Sequence, residues 1–137
     1  MSFSIHGTYN IDVQNNVITV DGHGPFNEEL LTAYNSDINK AIEKVKRNHK
    51  TWGQIVYLNE SALLSEEAEK KLEGESKWLH DNVGFDYCAF ILVNMQGASM
   101  VQKQYENLLR SSGIKTYFCE TLEDAKLWLR TEAKLDI

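Results

Sequence analysis

The longest apolar run of the chain extends from Cys88 to Val93 and predicts a strand that is buried on both faces. Its six uninterrupted apolar residues include β-branched and aromatic side chains, and Gly84 and Gly97 stand before and after it. Strands of this kind occupy the middle of parallel sheets, because helices cover both faces there. We therefore expect an α/β protein with a central strand from Cys88 to Asn94.

The first part of the chain predicts a β-hairpin and a helix. Apolar residues alternate from Ser4 to Val13, and a second extended segment runs from Val17 to Val20. Asn15-Asn16 separates the two segments, and asparagine tolerates the positive φ of a tight turn. Apolar residues then recur at helical spacing between Asn27, a suitable N-cap, and about Asn48.

Three further pairs of strand and helix follow. The predicted strands are Gln54 to Asn59, Cys88 to Asn94 and Lys115 to Cys119, and the predicted helix caps are Ser65, Ser99 with Gln102, and Thr121 with Asp124. Gly84 and Gly113 are placed to end the second and third helices. The order β-β-α-β-α-β-α-β-α predicts a mainly parallel five-stranded sheet opened by a hairpin, with four helices, in a single domain over residues 1–137.

The second helix has the weakest pattern of the four. Its thin apolar stripe consists of Ala68, Leu72, Leu79 and Val83. Gly74 lies in its middle at a cost of about 1 kcal/mol relative to alanine, and Trp78 falls one residue off the stripe. We expect a loosely held helix. Trp78 is then an exposed residue that a partner contacts, the lid of an apolar pocket, or a residue half-buried at the helix edge.

Charge and composition argue against several classes of partner. The formal net charge is −6, whereas binding to nucleic acid depends on clustered Lys and Arg. No apolar run approaches the ~20 residues that span a membrane, and the segment from Met1 to His6 lacks the features of an export signal. We expect a soluble cytoplasmic protein, in which Cys88 and Cys119 are buried free thiols of predicted strands.

Polar residues follow the predicted strands and define a candidate binding surface. Ligands of open α/β sheets bind outside the carboxyl ends of the parallel strands, where helix N-termini point. The alternative is that these residues only solvate loops. The candidate residues are His23, Asn59, Glu60, Ser61, Asn94 and Gln96.

No catalytic or metal motif accompanies these residues. A nucleophilic Ser61 or Ser65 would need a base, and His23 is the histidine expected on the same edge of the sheet. Neither serine has the glycines of a nucleophile elbow around it. The four histidines lack the helical spacing of metal ligands, and the cysteines lie in predicted strands. We expect no enzymatic activity, no metal and no cofactor.

The element order and the C-terminal segment from Tyr117 to Leu129 resemble the STAS, or SpoIIAA-like, proteins, in particular the small stand-alone bacterial ones. That segment has an aromatic strand end, an acidic helix start, and then Ala and Trp-Leu. The resemblance implies a regulatory module that acts through protein contact. It also implies a phospho-acceptor at the start of the second helix, for which Ser65 and Ser61 are the candidates. Unlike the family's Asp-Ser-Ser-Gly turn, this chain has no Asp before Ser65 and no Gly after it.

The same order of elements is also similar to CRAL-TRIO domains, in which apolar ligands enter beneath a movable helix. The thin second helix fits that arrangement. Our interpretation from the sequence is a non-enzymatic STAS-like regulatory or binding module that contacts an unidentified protein, or a second copy of itself in a homodimer. The alternative is a carrier or sensor of a small apolar or lipid-like ligand, bound between the second helix and the sheet.

Overall fold

The computed structural model describes residues 7–95 and 97–137, and it confirms the predicted order of elements and the α/β class. The start of the predicted first strand, before Gly7, lies outside the described residues. Among the described residues, no helix combines the length and the apolar character needed to span a membrane. The elements are β1 Thr8–Gln14, β2 Val17–His23, α1 Glu28–Lys46, β3 Gly53–Asn59, α2 Glu66–Val83, β4 Tyr87–Val93, α3 Ala98–Ser111, β5 Lys115–Cys119 and α4 Leu122–Glu132.

The five strands lie side by side in their order along the chain, β1-β2-β3-β4-β5. β1 and β2 form the antiparallel hairpin, and the other three pairs are parallel. β4 is an interior strand, as its apolar run predicts, but β3 occupies the middle of the sheet. Both strands are covered on both faces, which explains why neither alternates between apolar and polar residues.

Two hydrophobic clusters cover the two faces of the sheet. On one face, alternate strand residues such as Val56 and Phe90 pack together with buried residues of α1, α2 and α3. On the other face, Ile55 and Ile91 pack with Leu129 of α4. The sheet is therefore covered by three helices on one side and by a single helix on the other.

Side chains cap three of the four helices as the sequence predicts. Asn27 Oδ1 accepts from the Leu30 N–H at 3.0 Å, and Ser65 Oγ accepts from the Ala68 N–H at 3.2 Å. Thr121 Oγ1 accepts from the Asp124 N–H at 3.2 Å in the same way. Each bond satisfies one of the N–H groups that have no partner within the helix.

The prediction for the start of α3 was wrong. Gly97, not Ser99, is the N-cap, and among the described residues no side chain caps the first turn. Gly97 has φ of 68°, a left-handed conformation that glycine adopts without steric cost, so the chain enters the helix at Ala98. Ser99 consequently lies inside the first turn, where it cannot cap the helix.

β2 is longer than predicted. The sequence places its end at Val20 because Asp21 and Gly22 favour turns, but the strand continues to His23. Residues 21–23 pair with β1 on one side and with β3 on the other. The backbone hydrogen bonds of two neighbouring strands thus override the local preference of these residues.

The two thiols are free and lie on different faces of the sheet, but only Cys88 is buried as predicted, since Cys119 is partly exposed. Cys119 is paired in register with Ile91, whereas Cys88 is paired with Thr116. Three residues along β4 correspond to about 10 Å, which is more than a disulfide can bridge. Cys88 packs with the α1 to α3 side, and Cys119 packs with the α4 side.

We predict that Ile91→Asp lowers the free energy of unfolding by about 3–5 kcal/mol, because an ionised carboxylate would be buried without a partner. Ile91 is 3% exposed. The matched control is Leu127→Asp, at a side chain of α4 that is 57% exposed, where the change should stay within about 1 kcal/mol. Urea unfolding measures both. Equal losses in the two variants would contradict the interior position of β4.

Candidate functional site

Four polar residues meet at the carboxyl ends of β2 and β3, and we call them the rim cluster: Asp21, His23, Asn59 and Glu60. His23 and Asn59 are paired in register. Asn59 Nδ2 donates to Asp21 Oδ1 at 2.8 Å and to the Gly22 carbonyl at 3.0 Å. His23 lies between two carboxylates, with Nε2 3.6 Å from Asp21 Oδ1 and Nδ1 3.7 Å from Glu60 Oε1. The structure therefore brings together three of the residues that the sequence proposes for a binding surface.

The chain turns sharply after β3 and again after β4. Glu60 has φ of 61° and Asn94 has φ of 44°. Asparagine tolerates this left-handed region, but for glutamate it costs about 1–2 kcal/mol. Both side chains are exposed, and Asn94 lies at the same edge of the sheet because Asn59 is paired with Val93.

The remaining candidate residues are Ser61, which directly follows the rim cluster along the chain, Ser65, Trp78 and Gln96. Ser61 is exposed, and Ser65 is the exposed N-cap of α2. Trp78 is 51% exposed on α2. Gln96 lies outside the described residues. Within residues 7–95 and 97–137, no hydrogen bond joins His23 to either serine, and no three His, Cys, Asp or Glu residues are grouped to hold a metal ion.

The loop between β3 and α2 is fixed to α3. The Tyr105 hydroxyl donates to the Ala62 carbonyl at 2.8 Å. Gln104 bonds both backbone groups of Leu64, with its Nε2 2.9 Å from the carbonyl and its Oε1 2.8 Å from the N–H. Ala62 and Leu64 are buried. This loop is therefore an anchored connection, and any loosely held part of the region is α2 itself.

A cavity of about 80 Å³ lies between α1, α2 and the sheet, and we call it the α2 cavity. On the same scale one water molecule occupies roughly 10–15 Å³, so the space admits several waters or one small organic molecule. Its lining is predominantly apolar. Representative lining residues are Val20, Val56, Leu58 and Phe90 of the strands and Leu31 and Leu72 of the helices.

The position of α2 explains why this space exists. The backbone of α2 contacts those of α1 and α3 but makes few contacts with the strands. By contrast, α1 packs closely against β1, and α3 packs closely against β5. The buried residues of α2 are Ala68, Ser76 and Leu79, while α1 buries six residues, all apolar. Two of the three buried side chains of α2 are small, so they do not fill the distance to the sheet.

One part of the cavity lining is polar and contains Gln54, Tyr34 and Glu75. Gln54 Nε2 donates to the Tyr34 hydroxyl at 2.9 Å. Glu75 Oε1 lies 3.1 Å from Lys71 Nζ. Burial raises the pKa of the Glu75 carboxyl, and the neighbouring Lys71 only partly opposes this effect. The cavity thus contains hydrogen-bonding groups in otherwise apolar surroundings.

No motif marks these polar residues as a site in the sequence, although the pattern contains a signal for them. Gln54 begins the apolar run of β3 on the same face as Val56 and is only 3% exposed. Glu75 and Ser76 lie between Leu72 and Leu79, at the helical spacing where the stripe of α2 should continue. The thin stripe that we interpreted as weak packing is a stripe in which polar residues occupy inward positions.

The fold of this chain is similar to that of a solved structure. No protein-family model matches the sequence, and no curated protein matches it. The structure is similar to that of an uncharacterized protein of the DUF3478 family with a SpoIIAA-like fold from Shewanella loihica PV-4, with a TM-score of 0.55. The two are 18% identical, and the match covers 94% of this chain and 98% of the other. The chain therefore has the SpoIIAA-like fold, as the resemblance to STAS proteins implies.

We predict that Gly74→Ala raises the free energy of opening of α2 by about 0.5–1 kcal/mol, because alanine loses less backbone entropy in a helix. A Cβ at this position meets no atom within 4 Å. Amide hydrogen exchange over residues 67–79 measures the effect, and the modification rate of the buried Cys88 thiol under the helix should fall with it.

The control for this change is Gly53→Ala, where an added Cβ would lie 2.7 Å from Leu129 Cδ2. That variant should lose stability through overpacking. If Gly74→Ala left the exchange rates of α2 unchanged, the helix would not open as a separate unit.

Proposed function

We propose that this protein is a non-enzymatic binding module that holds a small apolar ligand between α2 and the sheet, as a carrier or sensor. The observation that carries this proposal is the α2 cavity. Cavities that bind small molecules are concave and mostly apolar, and they contain a few polar groups that orient the ligand. The α2 cavity has this composition, since Gln54, Tyr34 and Glu75 form its polar part.

Movement of a part of the wall would widen the route for a ligand, and α2 is the part with the least support. It buries three residues, whereas α1 buries six. The loop before α2 is bonded to α3, and Gly84 in a left-handed conformation ends the helix. Both ends are thus defined while the middle is weakly packed, as expected of a helix that opens by local unfolding.

The rim cluster supports binding better than catalysis. His23 is 41% exposed at its side chain, and its distances of 3.6 and 3.7 Å to the carboxylates exceed those of hydrogen bonds. A general base must be within hydrogen-bond reach of the group it activates. Because neither candidate serine is positioned in this way, our proposal contains no reaction.

The proposal predicts that toluene raises the melting temperature of the protein and that Val56→Phe abolishes this effect. Toluene is an apolar probe of roughly the size of the cavity, and a molecule that binds only the folded state stabilises it. The Val56 side chain lines the cavity, so a larger side chain should occupy the ligand's space. Differential scanning calorimetry with and without toluene measures the shift.

Ile55→Phe is the matched control, one residue earlier on the same strand. Ile55 is fully buried against α4, so the larger ring should cost about 1–3 kcal/mol by overpacking. Val56→Phe should be close to neutral because it fills empty space. If both variants lost the same stability and wild-type protein gave no shift with toluene, the cavity would not be a binding site.

A second candidate function is regulation through protein contact, and the exposure of Trp78 favours it. Large aromatic side chains are enriched at the centres of protein interfaces. Trp78 is 51% exposed on α2, the same helix that closes the cavity. A partner protein, or a second copy in a homodimer, would bind this outer face. Phosphorylation of Ser65 would add charge at the start of the same helix.

For Ser65 we predict that alanine lowers the free energy of unfolding by about 1 kcal/mol and that aspartate does not, because aspartate also caps helices. The hydroxyl of Ser65 accepts from the Ala68 N–H. Ser99→Ala is the control, since Ser99 caps no helix and is exposed. Urea unfolding compares the three variants. A loss for Ser65→Asp equal to that for Ser65→Ala would mean that the helix start does not accept added negative charge, which would count against a phospho-switch.

A further inference from the structure

Two oxygen atoms of the cavity lining accept no hydrogen bond from any described residue. They are Gln54 Oε1 and Glu75 Oε2, and both atoms are buried. Gln54 is 3% exposed as a whole residue. Buried acceptors of this kind are rare in folded proteins because they lose their bonds to water without replacement. In the wall of a cavity, such acceptors are available to a donor on a bound ligand or on an ordered water.

The neighbours of both groups orient them. The Gln54 amide nitrogen donates to the Tyr34 hydroxyl at 2.9 Å, which leaves its oxygen on the other side of the amide. Lys71 binds Oε1 of Glu75, so the oxygen that remains unpaired is Oε2. Burial raises the pKa of Tyr34, and the charge of Glu75 contributes to this rise. Gln54 and Tyr34 therefore form one hydrogen-bonded pair, and Glu75 lines the same cavity.

We infer that the α2 cavity selects small apolar molecules that carry a hydrogen-bond donor, an alcohol or an amine, and discriminates against carboxylates of the same shape. The inference rests on the function proposed above, because it specifies the ligand of the same cavity. A hydroxyl or a protonated amine can donate to Gln54 Oε1 or to Glu75 Oε2, and the positive charge of the amine is also attracted by the Glu75 carboxylate. A carboxylate would bring a negative charge towards two acceptors, one of them a carboxylate, in surroundings that screen charge poorly.

The experiment compares four probes that share one aromatic ring: toluene, benzyl alcohol, benzylamine and benzoate. Their dissociation constants are obtained at neutral pH from the dependence of the melting temperature on probe concentration. We expect benzyl alcohol and benzylamine to bind about three- to tenfold more tightly than toluene, the usual effect of one added hydrogen bond. Benzoate should bind more weakly than toluene.

The variant Glu75→Gln tests the residue itself, because it keeps the shape and one acceptor oxygen but removes the negative charge. Its preference for benzylamine over toluene should fall, and benzoate should bind more tightly than it does to the wild type. Glu73→Gln is the matched control on the same helix. Glu73 is exposed and accepts from Ser111 Oγ at 2.8 Å, so this variant changes the net charge equally and should keep the wild-type ranking.

The outcomes separate this inference from the proposed function. If toluene, benzyl alcohol, benzylamine and benzoate bound wild-type protein equally well, or if benzoate bound best, the selectivity would be disproved while the cavity would stand as a binding site. An unchanged ranking in Glu75→Gln would remove Glu75 from the argument and overturn the inference. If none of the four probes bound, toluene included, the proposed function and the inference would both fail.

Discussion

The side-by-side pairing of the strands in chain order is the constraint on which the rest of the structure depends. Each parallel crossover advances by one strand in the same direction, and crossovers of one hand then place their helices on the same face. α1, α2 and α3 consequently share one face, and only α4, which follows the last strand, covers the other. The interior strands β3 and β4 must be apolar on both faces as a result.

The layer of three helices explains where the α2 cavity forms. α2 is the middle helix, and it is supported laterally by α1 and α3, so its stability does not require close contact with the sheet. Its inward positions can therefore carry Ala68, Ser76 and Glu75 in place of large apolar side chains. In an open sheet whose strand order reverses, a crevice forms at the reversal. Here the strand order does not reverse, and the space forms under the middle helix.

Much of the fold follows from local signals in the sequence. The apolar run of β4 and the caps at Asn27, Ser65 and Thr121 depend on near neighbours, and the structure agrees with them. The end of β2 depends on pairing with two other strands, which no local pattern contains. The strand order was not predictable either, because several orders would bury the same apolar faces.

The candidate site likewise contains one part that the sequence predicts and one part that it does not. Three members of the rim cluster, His23, Asn59 and Glu60, were predictable, since polar residues at the ends of parallel strands meet at one edge of the sheet. Asp21 was not, because it lies within β2, where the sequence predicts a turn. The α2 cavity was not, because its polar residues come from separate elements: Gln54 from β3, Tyr34 from α1 and Glu75 from α2. Each is a single exception within an apolar pattern. Their common location becomes visible only when the crossovers have placed the three elements around one space.

The position of Glu75 on the helix that closes the cavity links ligand binding to closure under the proposed function. In the closed state Glu75 Oε2 has no donor among the described residues. A ligand that donates to this oxygen gains a hydrogen bond that depends on the position of α2, and it therefore favours the closed helix. Burial raises the pKa of Glu75, so the closed state binds the Glu75 proton more tightly than the open state does. Without ligand, the closed state therefore loses stability as the pH rises from the ordinary pKa of glutamate through the raised value. By linkage, if the ligand changes the affinity of a partner that contacts Trp78 on the outer face of α2, the partner changes the affinity for the ligand by the same factor.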